Sequence, residues 1–279
     1  MGYIDYSIEP QSDIAFLDMK SFYASVECVD RGLHPLYTSL CVMSRADNSA
    51  GLILASSPMF KKVFGKSNVG RSYDLPFDIK TRKFSYYNAK KQGLRTDPEY
   101  VRFIEDWAKV TFIVPPRMDE YIAVNIEIQS IFQNYGSPND IYPYSIDEGF
   151  IDLSSSLNYF VPDKQLSRKQ KLDLISARIQ RDIWRQTGIY STVGMSNANP
   201  LLAKLALDNE AKKTPTMRAN WSYEDVEQKV WSIPNMTDFW GIGKRMEKRF
   251  NTLGIHSIKN LANANPDICL LYTSDAADE

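Results

Sequence analysis

The sequence predicts an α/β fold, in which buried strands alternate with amphipathic helices. Three observations favour this class. Residues 14–17 form a continuous apolar run, which is typical of a buried strand, and apolar residues at helical spacing follow it. A second strand pattern covers residues 141–153. Residues 164–185 carry apolar side chains three and four positions apart, which predicts an amphipathic helix that ends at Gly188.

The first predicted element is a short strand over residues 12–19 that leads directly into a helix. Asp18 lies at the C-terminal end of this strand, and apolar residues recur at near-helical spacing from Phe22 onward. A carboxylate in that position has left the core and faces a cleft, while the free backbone amides at the start of the helix attract phosphate. Alternatively, Asp18 only caps the helix.

The second strand pattern, residues 141–153, contains two adjacent carboxylates, Asp147 and Glu148. Neighbouring side chains on a regular strand point to opposite faces, so the pair shares one metal site only at a turn or a bulge. Gly149 is the residue that permits such a distortion. The alternative is an ordinary polar hairpin turn flanked by aromatic residues.

Together, Asp18, Asp147 and Glu148 offer three carboxylates. Three are enough to hold a pair of hard divalent cations, with phosphate oxygens in the remaining coordination positions. Phosphoryl transfer at such a pair depends mainly on positioning and on charge neutralisation. The sequence therefore predicts a metal-dependent site that acts on phosphate esters.

Composition excludes several other classes of protein. The 279 residues contain no secretory signal and no apolar run that approaches the length of a membrane span. The three cysteines, Cys28, Cys41 and Cys269, have neither metal-ligand spacing nor the pattern of a disulfide framework, which favours a reducing cytoplasm. The formal net charge is only −1, so any binding to nucleic acid depends on local basic patches.

Four ordered stretches make the chain resemble the Y-family DNA polymerases, the UmuC-like translesion enzymes of the polymerase IV and V (impB/mucB/samB) class. Residues 18–27 (DMKSFYASVE) and 145–152 (SIDEGFID) resemble the two metal motifs of that family. Residues 191–196 (STVGMS) with 202–206 (LAKLA) resemble the strand and helix that close the palm. Residues 240–244 (WGIGK) through 253–255 (LGI) resemble the helix-hairpin-helix of the thumb.

The resemblance implies a role for each matching residue. Asp18, Asp147 and Glu148 would be the catalytic metal carboxylates, with the main-chain oxygen of Met19 as a further ligand, and the metals would be two Mg²⁺ ions, which Mn²⁺ can replace. The nucleotide would contact Tyr23 as a steric gate against the ribose 2′-hydroxyl, Phe22 beneath the base, and Lys204 at the triphosphate. The implied partners are dNTPs and primer-template DNA.

The chain departs from the family pattern at two places. Lys20 stands where many members have a second acid, a feature that resembles the Gram-positive subgroup. The fingers motif Tyr-Glu-Ala-Arg, whose Tyr and Arg hold the triphosphate, is replaced by residues 55–65 (ASSPMFKKVFG). Counting back from Gly65 places Lys62 at the arginine position and Ser56 at a hydroxyl position. A lysine holds phosphate as a point charge, so we expect weaker triphosphate binding.

Two basic patches are candidates for DNA contact. The predicted helix over residues 164–185 is rich in lysine and arginine, but its amphipathic pattern favours an ordinary solvated face. The hairpin at Gly241, Gly243, Lys244 and Arg245 is the better candidate, because its glycines expose backbone amides to a phosphate without reading bases.

The resemblance also implies a right-hand polymerase architecture. Residues 1–21 and 109–211 would form the palm, an α/β sandwich with a mostly antiparallel sheet, and residues 22–108 would form small fingers. Residues 67–98 are polar and aromatic, and we expect them to be an extended part of the fingers. Residues 212–268 would form a helical thumb. The fourth domain of the family, which grips DNA and binds the sliding clamp, is not expected in this chain.

Residues 269–279 have no counterpart in the family and resemble translated sequencing-adapter DNA, so we expect a non-native tail. Without its three acids the net charge would be +2 rather than −1.

The leading functional hypothesis is an error-prone, template-directed DNA polymerase. The alternatives are a nucleotide cyclase-like palm enzyme, against which the hairpin motif counts, and a non-catalytic DNA-binding protein, against which the three carboxylates count.

Overall fold

The computed structural model describes residues 5–44, 51–65 and 70–267. The expected tail at residues 269–279 therefore lies outside the described residues, as do residues 67–69 of the expected fingers extension. The strands are β1 (Ile14–Met19), β2 (Leu40–Met43), β3 (Leu52–Ser56), β4 (Gly70–Arg71), β5 (Phe112–Val114), β6 (Ile141–Pro143), β7 (Glu148–Asp152), β8 (Ser191–Ser196) and β9 (Arg218–Asn220).

The α-helices are α1 (Phe22–Asp30), α2 (Pro58–Phe64), α3 (Tyr86–Lys91), α4 (Pro98–Val110), α5 (Met118–Phe132), α6 (Leu157–Phe160), α7 (Arg168–Thr187), α8 (Pro200–Asn209), α9 (Lys244–Thr252) and α10 (Ile258–Ala262). Short 3₁₀ turns and one π-helical turn at Val226–Val230 connect some of them. No helix in the described part of the chain is both long enough and apolar enough to cross a membrane.

The larger sheet has the strand order β6-β7-β1-β8-β9. The pairings β6-β7, β7-β1 and β1-β8 are antiparallel, and only β8-β9 is parallel. The expectation of an α/β fold with a mostly antiparallel sheet is therefore confirmed. β1 is the central strand, because its residues pair with β7 on one side and with β8 on the other.

Helices cover both faces of this sheet. Ala15, Leu17 and Met19 of β1 face the main core, which α1, α5 and α7 complete. Ile14 and Phe16 face the opposite side, where they pack on Ala203 and Leu207 of α8. The alternation is the period of two that a strand imposes. Since Asp18 has the same parity as Ile14 and Phe16, its side chain points to the α8 side.

Gly194 allows α8 to lie directly on the sheet. A Cβ atom built at this position in β8 would lie 2.0 Å from the carbonyl oxygen of Ala203 and 2.4 Å from the amide nitrogen of Leu207. Both obstacles are backbone atoms and cannot move away as a side chain would. Gly194, in the third motif, is therefore required because α8 approaches the strand β8 so closely.

The smaller sheet has the order β4-β3-β2-β5 and separates two cores. Leu40, Val42 and Ala55 join the main core. Their neighbours Cys41, Met43 and Ile53 join a second core, which is completed by α2, α4 and the aromatic residues of the 70–98 region. Residues 77 and 84 form an isolated bridge there. Residues 70–98, which we expected to be an extended part of the fingers, thus supply buried side chains to the second core.

A third core forms where the C-terminal region packs on α8. Leu202, Leu205 and Ala206 of α8 contact Trp221 and a group of apolar residues further along the chain, which are Val230, Ile233, Met236, Ile242, Ile255 and Ile258. Ile242 and Ile255 flank α9, and Ile258 begins α10, so this helical pair is attached to the rest of the molecule through α8. The predicted helix at residues 164–185 is also present as α7, and Gly188 follows it with a φ of +70°.

Candidate active site

The ends of the larger sheet and the start of the smaller sheet enclose a cleft of about 560 Å³. Residues of both sheets and of the helices α1 and α2 line it. The lining residues are Asp18, Met19, Lys20, Ser21, Phe22, Tyr23, Leu54, Ala55, Pro58, Lys61, Ile146, Asp147, Thr192 and Lys212.

Asp18 reaches this cleft because it is the penultimate residue of the central strand. Its backbone is paired with Glu148 on one side and with Thr192 on the other. Leu17 and Met19 are buried in the main core, whereas the Asp18 side chain is only half-buried on the opposite face. Ser21 begins α1 without a side-chain capping bond. Asp18 is therefore a cleft residue and not a helix cap.

The second acidic cluster lies at a hairpin turn. The sequence predicted one strand over residues 141–153, but the structure has two, β6 and β7, with the turn at residues 144–147. The expectation that Gly149 permits the distortion is wrong. Gly149 lies inside β7, and a Cβ there would be 3.2 Å from the carbonyl oxygen of Tyr142. The glycine accommodates a neighbouring strand instead of forming the turn.

Hydrogen bonds fix the turn beside the end of β1. The Ser145 hydroxyl donates to Oδ1 of Asp147 at 2.9 Å and accepts from the amide of Glu148 at 3.1 Å. The amide of Met19 donates to the carbonyl oxygen of Asp147 at 2.8 Å. These bonds hold Asp147 next to Asp18, so both side chains line the same cleft.

The three carboxylates repel one another, and each of them is partly shielded from water. Burial raises the pKa of Asp147, and the negative charge of Asp18 raises it further. Burial also raises the pKa of Glu148 to about 7, opposed by the ammonium group of Lys204 and assisted by the Asp18 carboxylate. Charge accumulated at this density favours binding of a cation.

Two lysines neutralise part of this charge. Nζ of Lys204 lies 2.7 Å from Oε1 of Glu148 and 3.2 Å from Oδ2 of Asp208. Nζ of Lys212 lies 3.1 Å from Oδ2 of Asp18 and 2.9 Å from Oδ1 of Asp208. Burial lowers the pKa of Lys212, but Asp18 and Asp208 raise it more, so it stays well above its usual value.

Sequence reasoning identified Lys204 but missed Asp208 and Lys212. The signal was present, since Lys204, Asp208 and Lys212 are spaced four residues apart and so share one side of a helix and its continuation. The structure also changes the expected position of Lys204. Its side chain is nearly buried, pairs with Glu148 and lies over the Phe16 ring, 5.2 Å from the centroid.

Tyr23 and Phe22 form the floor of the cleft on the α1 side. Tyr23 is half-buried, and its ring stacks on that of Tyr121 with centroids 4.3 Å apart and an interplanar angle of 12°. Burial and the nearby Asp147 raise the pKa of Tyr23. Phe22 is buried, with 2% of its surface exposed, and packs edge-on against Tyr121. Both residues predicted for nucleotide contact therefore line the cleft.

The structure does not bring the other two predicted fingers residues to the cleft. Ser56 is fully buried and faces Cys41, its partner across β2 and β3, in the second core. Lys62 is exposed on α2 and does not line the cleft. Its neighbour Lys61 does, and Nζ of Lys61 lies 3.2 Å from the Ser21 hydroxyl. Burial lowers the pKa of Lys61, while Asp18 opposes that effect.

The donor set of the cleft suits a hard divalent cation, because carboxylate oxygens are the ligands that Mg²⁺ and Mn²⁺ prefer. Within residues 5–44, 51–65 and 70–267, no group of three His, Cys, Asp or Glu side chains is arranged to hold a metal ion. The lysine contacts explain this arrangement, since Lys204 and Lys212 each hold one carboxylate at hydrogen-bond distance. The chemistry of the residues fits the metal, since Lys204 and Lys212 contact one oxygen each of Glu148 and Asp18 and leave the second oxygen of each carboxylate free of lysine.

The predicted DNA-binding hairpin is exposed and lies beside the C-terminal end of α8, where Gly241 and Gly243 line a pocket together with Asp208. Gly241 has a φ of +90°, which favours glycine, and no atom lies within 4 Å of a Cβ built there. Gly243 precedes α9 without a side-chain cap, and Lys244 and Arg245 are exposed in its first turn. Trp240 connects the hairpin to the acidic turn, because its Nε1 donates to the Tyr144 hydroxyl at 3.1 Å.

Comparison with known proteins identifies the class. Residues 84–208 match the impB/mucB/samB family, and residues 223–255 match the HHH motif of the same family. The putative UV-damage repair protein UvrX of Bacillus subtilis is 36% identical over 93% of this chain and 51% of its own length. DNA polymerase IV 2 of Halalkalibacterium halodurans is 30% identical over 90% of this chain and 51% of its own length.

A solved Y-family DNA polymerase chimera has the same fold, with a TM-score of 0.61 and 20% identity over 92% of this chain and 62% of that structure. The fold is thus that of the right-hand polymerases of the Y family. The chain belongs to the impB/mucB/samB family, as its sequence motifs predicted. It spans about half the length of the curated relatives that it matches.

Proposed function

We propose that this chain is a template-directed DNA polymerase of the error-prone translesion class. The observation that carries the proposal is the cleft, in which Asp18 and Asp147 face Tyr23 and Lys61 across a space large enough for a nucleotide. The relatives named as a UV-damage repair protein and as DNA polymerase IV support it. The substrates would be dNTPs and primer-template DNA, and the place of action would be the cytoplasm.

In the proposed reaction, the primer 3′-oxygen attacks the α-phosphorus of a dNTP and loses its proton. The bond from that phosphorus to the bridging oxygen breaks, and pyrophosphate leaves. Asp18, Asp147, Glu148 and the main-chain oxygen of Met19 would hold two Mg²⁺ ions, or Mn²⁺ in their place. Such ions lower the pKa of the attacking hydroxyl and neutralise the leaving group.

The cationic side chains of the cleft would hold the triphosphate. Lys61 and Lys212 both line the cleft, and both interact with the negative charge of Asp18. We assign the triphosphate contact to these two in preference to Lys62, which points to solvent, and Ser56, which is buried. Lys204 would keep Glu148 oriented through its 2.7 Å contact. Because lysines act as point charges, this grip is less directional than an arginine fork.

The proposed roles of the aromatic floor follow from its rigidity. Tyr23 stacks on a fully buried tyrosine, so its ring cannot easily turn away. A ring fixed in this position excludes a ribose 2′-hydroxyl by bulk, and Phe22 supports it from the core. Lys244 and Arg245, with the amides near Gly241 and Gly243, would contact the DNA backbone without reading sequence.

The domain limits expected from the sequence remain part of this proposal. The palm would comprise residues 1–21 and 109–211, the fingers residues 22–108, and the thumb residues 212–268. The helix α1 belongs to the fingers in this division, although its apolar side chains pack in the main core with those of β1. A sliding clamp would be a partner of the longer relatives.

Primer extension tests the proposal directly. The chain, a primed template, dNTPs and Mg²⁺ should give extended primer, and Asp147→Ala should abolish extension while duplex binding stays largely intact. Asp106→Ala is the matched control, because Asp106 is an exposed carboxylate paired with Lys109 on α4, away from the cleft. Formation of a cyclic nucleotide without primer extension would contradict the proposal. Equal extension by the Asp147 variant would remove that residue from the site.

A further inference from the structure

The 70–95 segment of the fingers has a composition unlike that of the rest of the chain. It contains seven basic and two acidic residues, while the whole chain has a net charge of −1. Three of its tyrosines, Tyr73, Tyr86 and Tyr87, are exposed by 45%, 60% and 80%. The core beneath them is already supplied by Phe77 and Phe84, which are buried. The Tyr86 ring contacts the Phe84 ring, with centroids 4.9 Å apart, but 60% of Tyr86 and 80% of Tyr87 remain exposed, so both tyrosines keep surface that the core does not cover.

The helix α3 presents its tyrosines and lysines outward. Its inner side is fixed, because Ala89 is fully buried and Asn88 donates to the carbonyl oxygen of Leu75 at 2.9 Å. Just after the helix, Gln92 donates to the carbonyl oxygen of Asp74 at 2.5 Å. The opposite side carries the exposed residues. We call Tyr73, Tyr86, Tyr87, Lys90 and Lys91 the fingers patch.

The fingers patch combines aromatic rings with ammonium groups. Nζ of Lys91 lies 5.5 Å from the centroid of the Tyr73 ring, and it is 3.9 Å from Oδ1 of Asp74. In the part of the chain that the structure describes, Lys90 has no carboxylate within salt-bridge distance. The patch thus offers flat apolar faces beside positive charge that its own neighbours do not fully neutralise.

The fingers patch is rigidly joined to the wall of the cleft. The Phe77 ring lies 4.9 Å from the Phe64 ring of α2, and α2 carries Lys61, which lines the cleft. β4, which precedes Tyr73, pairs with β3 of the same sheet. A strand bound at the patch would therefore be held at a fixed position relative to the cleft.

We propose that the fingers patch binds single-stranded nucleic acid, by base stacking on Tyr86 and Tyr87 and by phosphate contacts to Lys90 and Lys91. Exposed aromatic rings beside lysines are the chemistry by which proteins bind single strands without sequence preference. A double helix hides the faces of its bases, so the patch selects unpaired nucleotides. That this strand is the unpaired template ahead of the cleft rests on the proposed function. Binding of a single strand does not.

Fluorescence anisotropy of labelled oligodeoxythymidine with the full chain tests the patch. Tyr86→Ser with Tyr87→Ser should lower the affinity about tenfold for each stacked ring and leave the salt dependence unchanged. Lys90→Gln with Lys91→Gln should lower the slope of log affinity against log salt by about 0.7 for each lost phosphate contact. Tyr159→Ser is the matched control, because Tyr159 is 82% exposed on another surface, next to α7.

The outcomes separate this proposal from the proposed function. Because the substituted side chains are exposed, the variants should keep the circular dichroism spectrum of the parent. Loss of oligodeoxythymidine binding with normal extension on a template that ends at the copied base supports the patch. Unchanged affinity in the tyrosine variant overturns it and leaves the surface to a protein partner. Binding without any primer extension would uphold the patch and refute the polymerase.

Discussion

Glu27, at the end of the first motif, and the acidic residues at the cleft, Asp18, Asp147 and Glu148, have opposite surroundings in the fold. Glu27, on α1, is fully buried, and its carboxylate is surrounded by hydrogen-bond donors, two of which are arginines that stay charged. Arg31 pairs with one of its oxygens, while Arg117 Nε and the Tyr121 hydroxyl lie 2.9 and 2.8 Å from the other.

The cleft carboxylates have weaker and more mobile partners. Glu148 and Asp18 each contact one lysine, and Asp147 accepts a hydrogen bond from the Ser145 hydroxyl. Burial raises the pKa of Asp147 and of Glu148, which shows that their charge is only partly compensated. Glu27, which pairs with two arginines, therefore stabilises the fold. The cleft acids are surrounded by less positive charge, so they are available to bind a cation.

The largest effect that this comparison predicts is on catalysis. Glu148→Gln keeps the acceptor for Lys204 but removes a metal-binding charge, which is worth several kcal/mol in the transition state, so extension should fall about a thousandfold. The free energy of unfolding of the metal-free variant should not fall, because the buried Glu148 charge is removed while Lys204 keeps Asp208 as its counter-charge. Single-turnover extension and urea unfolding measure the two quantities. A large loss of stability would make Glu148 a structural acid like Glu27.

The second effect is on stability. Glu27→Gln should lower the free energy of unfolding by about 3 kcal/mol, since removing one partner leaves the arginines without their buried counter-charge. Primer extension per folded molecule should hardly change. Asp30→Asn is the control, because Asp30 is partly exposed and pairs with Nη2 of Arg117. This substitution should cost less than about 1 kcal/mol. A catalytic defect in the folded Glu27 variant would contradict the distinction.

The stability of the metal-free protein should depend on pH through Glu148. Glu148 has its pKa raised from 4.5 to about 7, so the folded protein holds its proton more tightly than the unfolded chain does. Its contribution to stability is therefore greatest below pH 4.5 and is lost as the pH rises towards 7. With EDTA present, the stability gain of Glu148→Gln over the parent should grow across that range. A gain that is constant with pH would show that Glu148 does not titrate there.

The smallest predicted effect concerns Tyr23, which connects the two regions by stacking on Tyr121, a hydrogen-bond donor to Glu27. Tyr23→Ala should raise ribonucleotide use relative to deoxynucleotide use by about tenfold. It should also lower the free energy of unfolding by about 1 kcal/mol through lost aromatic packing. Tyr23→Phe should preserve both properties. Unchanged sugar discrimination in the alanine variant would limit Tyr23 to a packing role.

Local patterns in the sequence were sufficient to predict the main elements of the site. The apolar run before Asp18, the aromatic pair after it and the acid pair at residues 147–148 are local signals. The structure places Asp18, Phe22, Tyr23 and Asp147 in one cleft, whereas Glu148 does not line it and pairs with Lys204. The helix that ends at Gly188 and the glycine hairpin before α9 are equally local signals, and both are present.

What only the tertiary structure decided is which charged groups meet. Lys61 and Lys62 are adjacent in sequence, but they point about 100° apart on a helix, so the packing of α2 alone selects Lys61 for the cleft. Likewise, Lys212 meets Asp18 because α8 packs on Ile14 and Phe16 of β1 and on Gly194 of β8, almost 200 residues after β1 began. Periodicity encodes the buried face of each element, whereas ion pairs depend on how distant elements are placed, which no local pattern specifies.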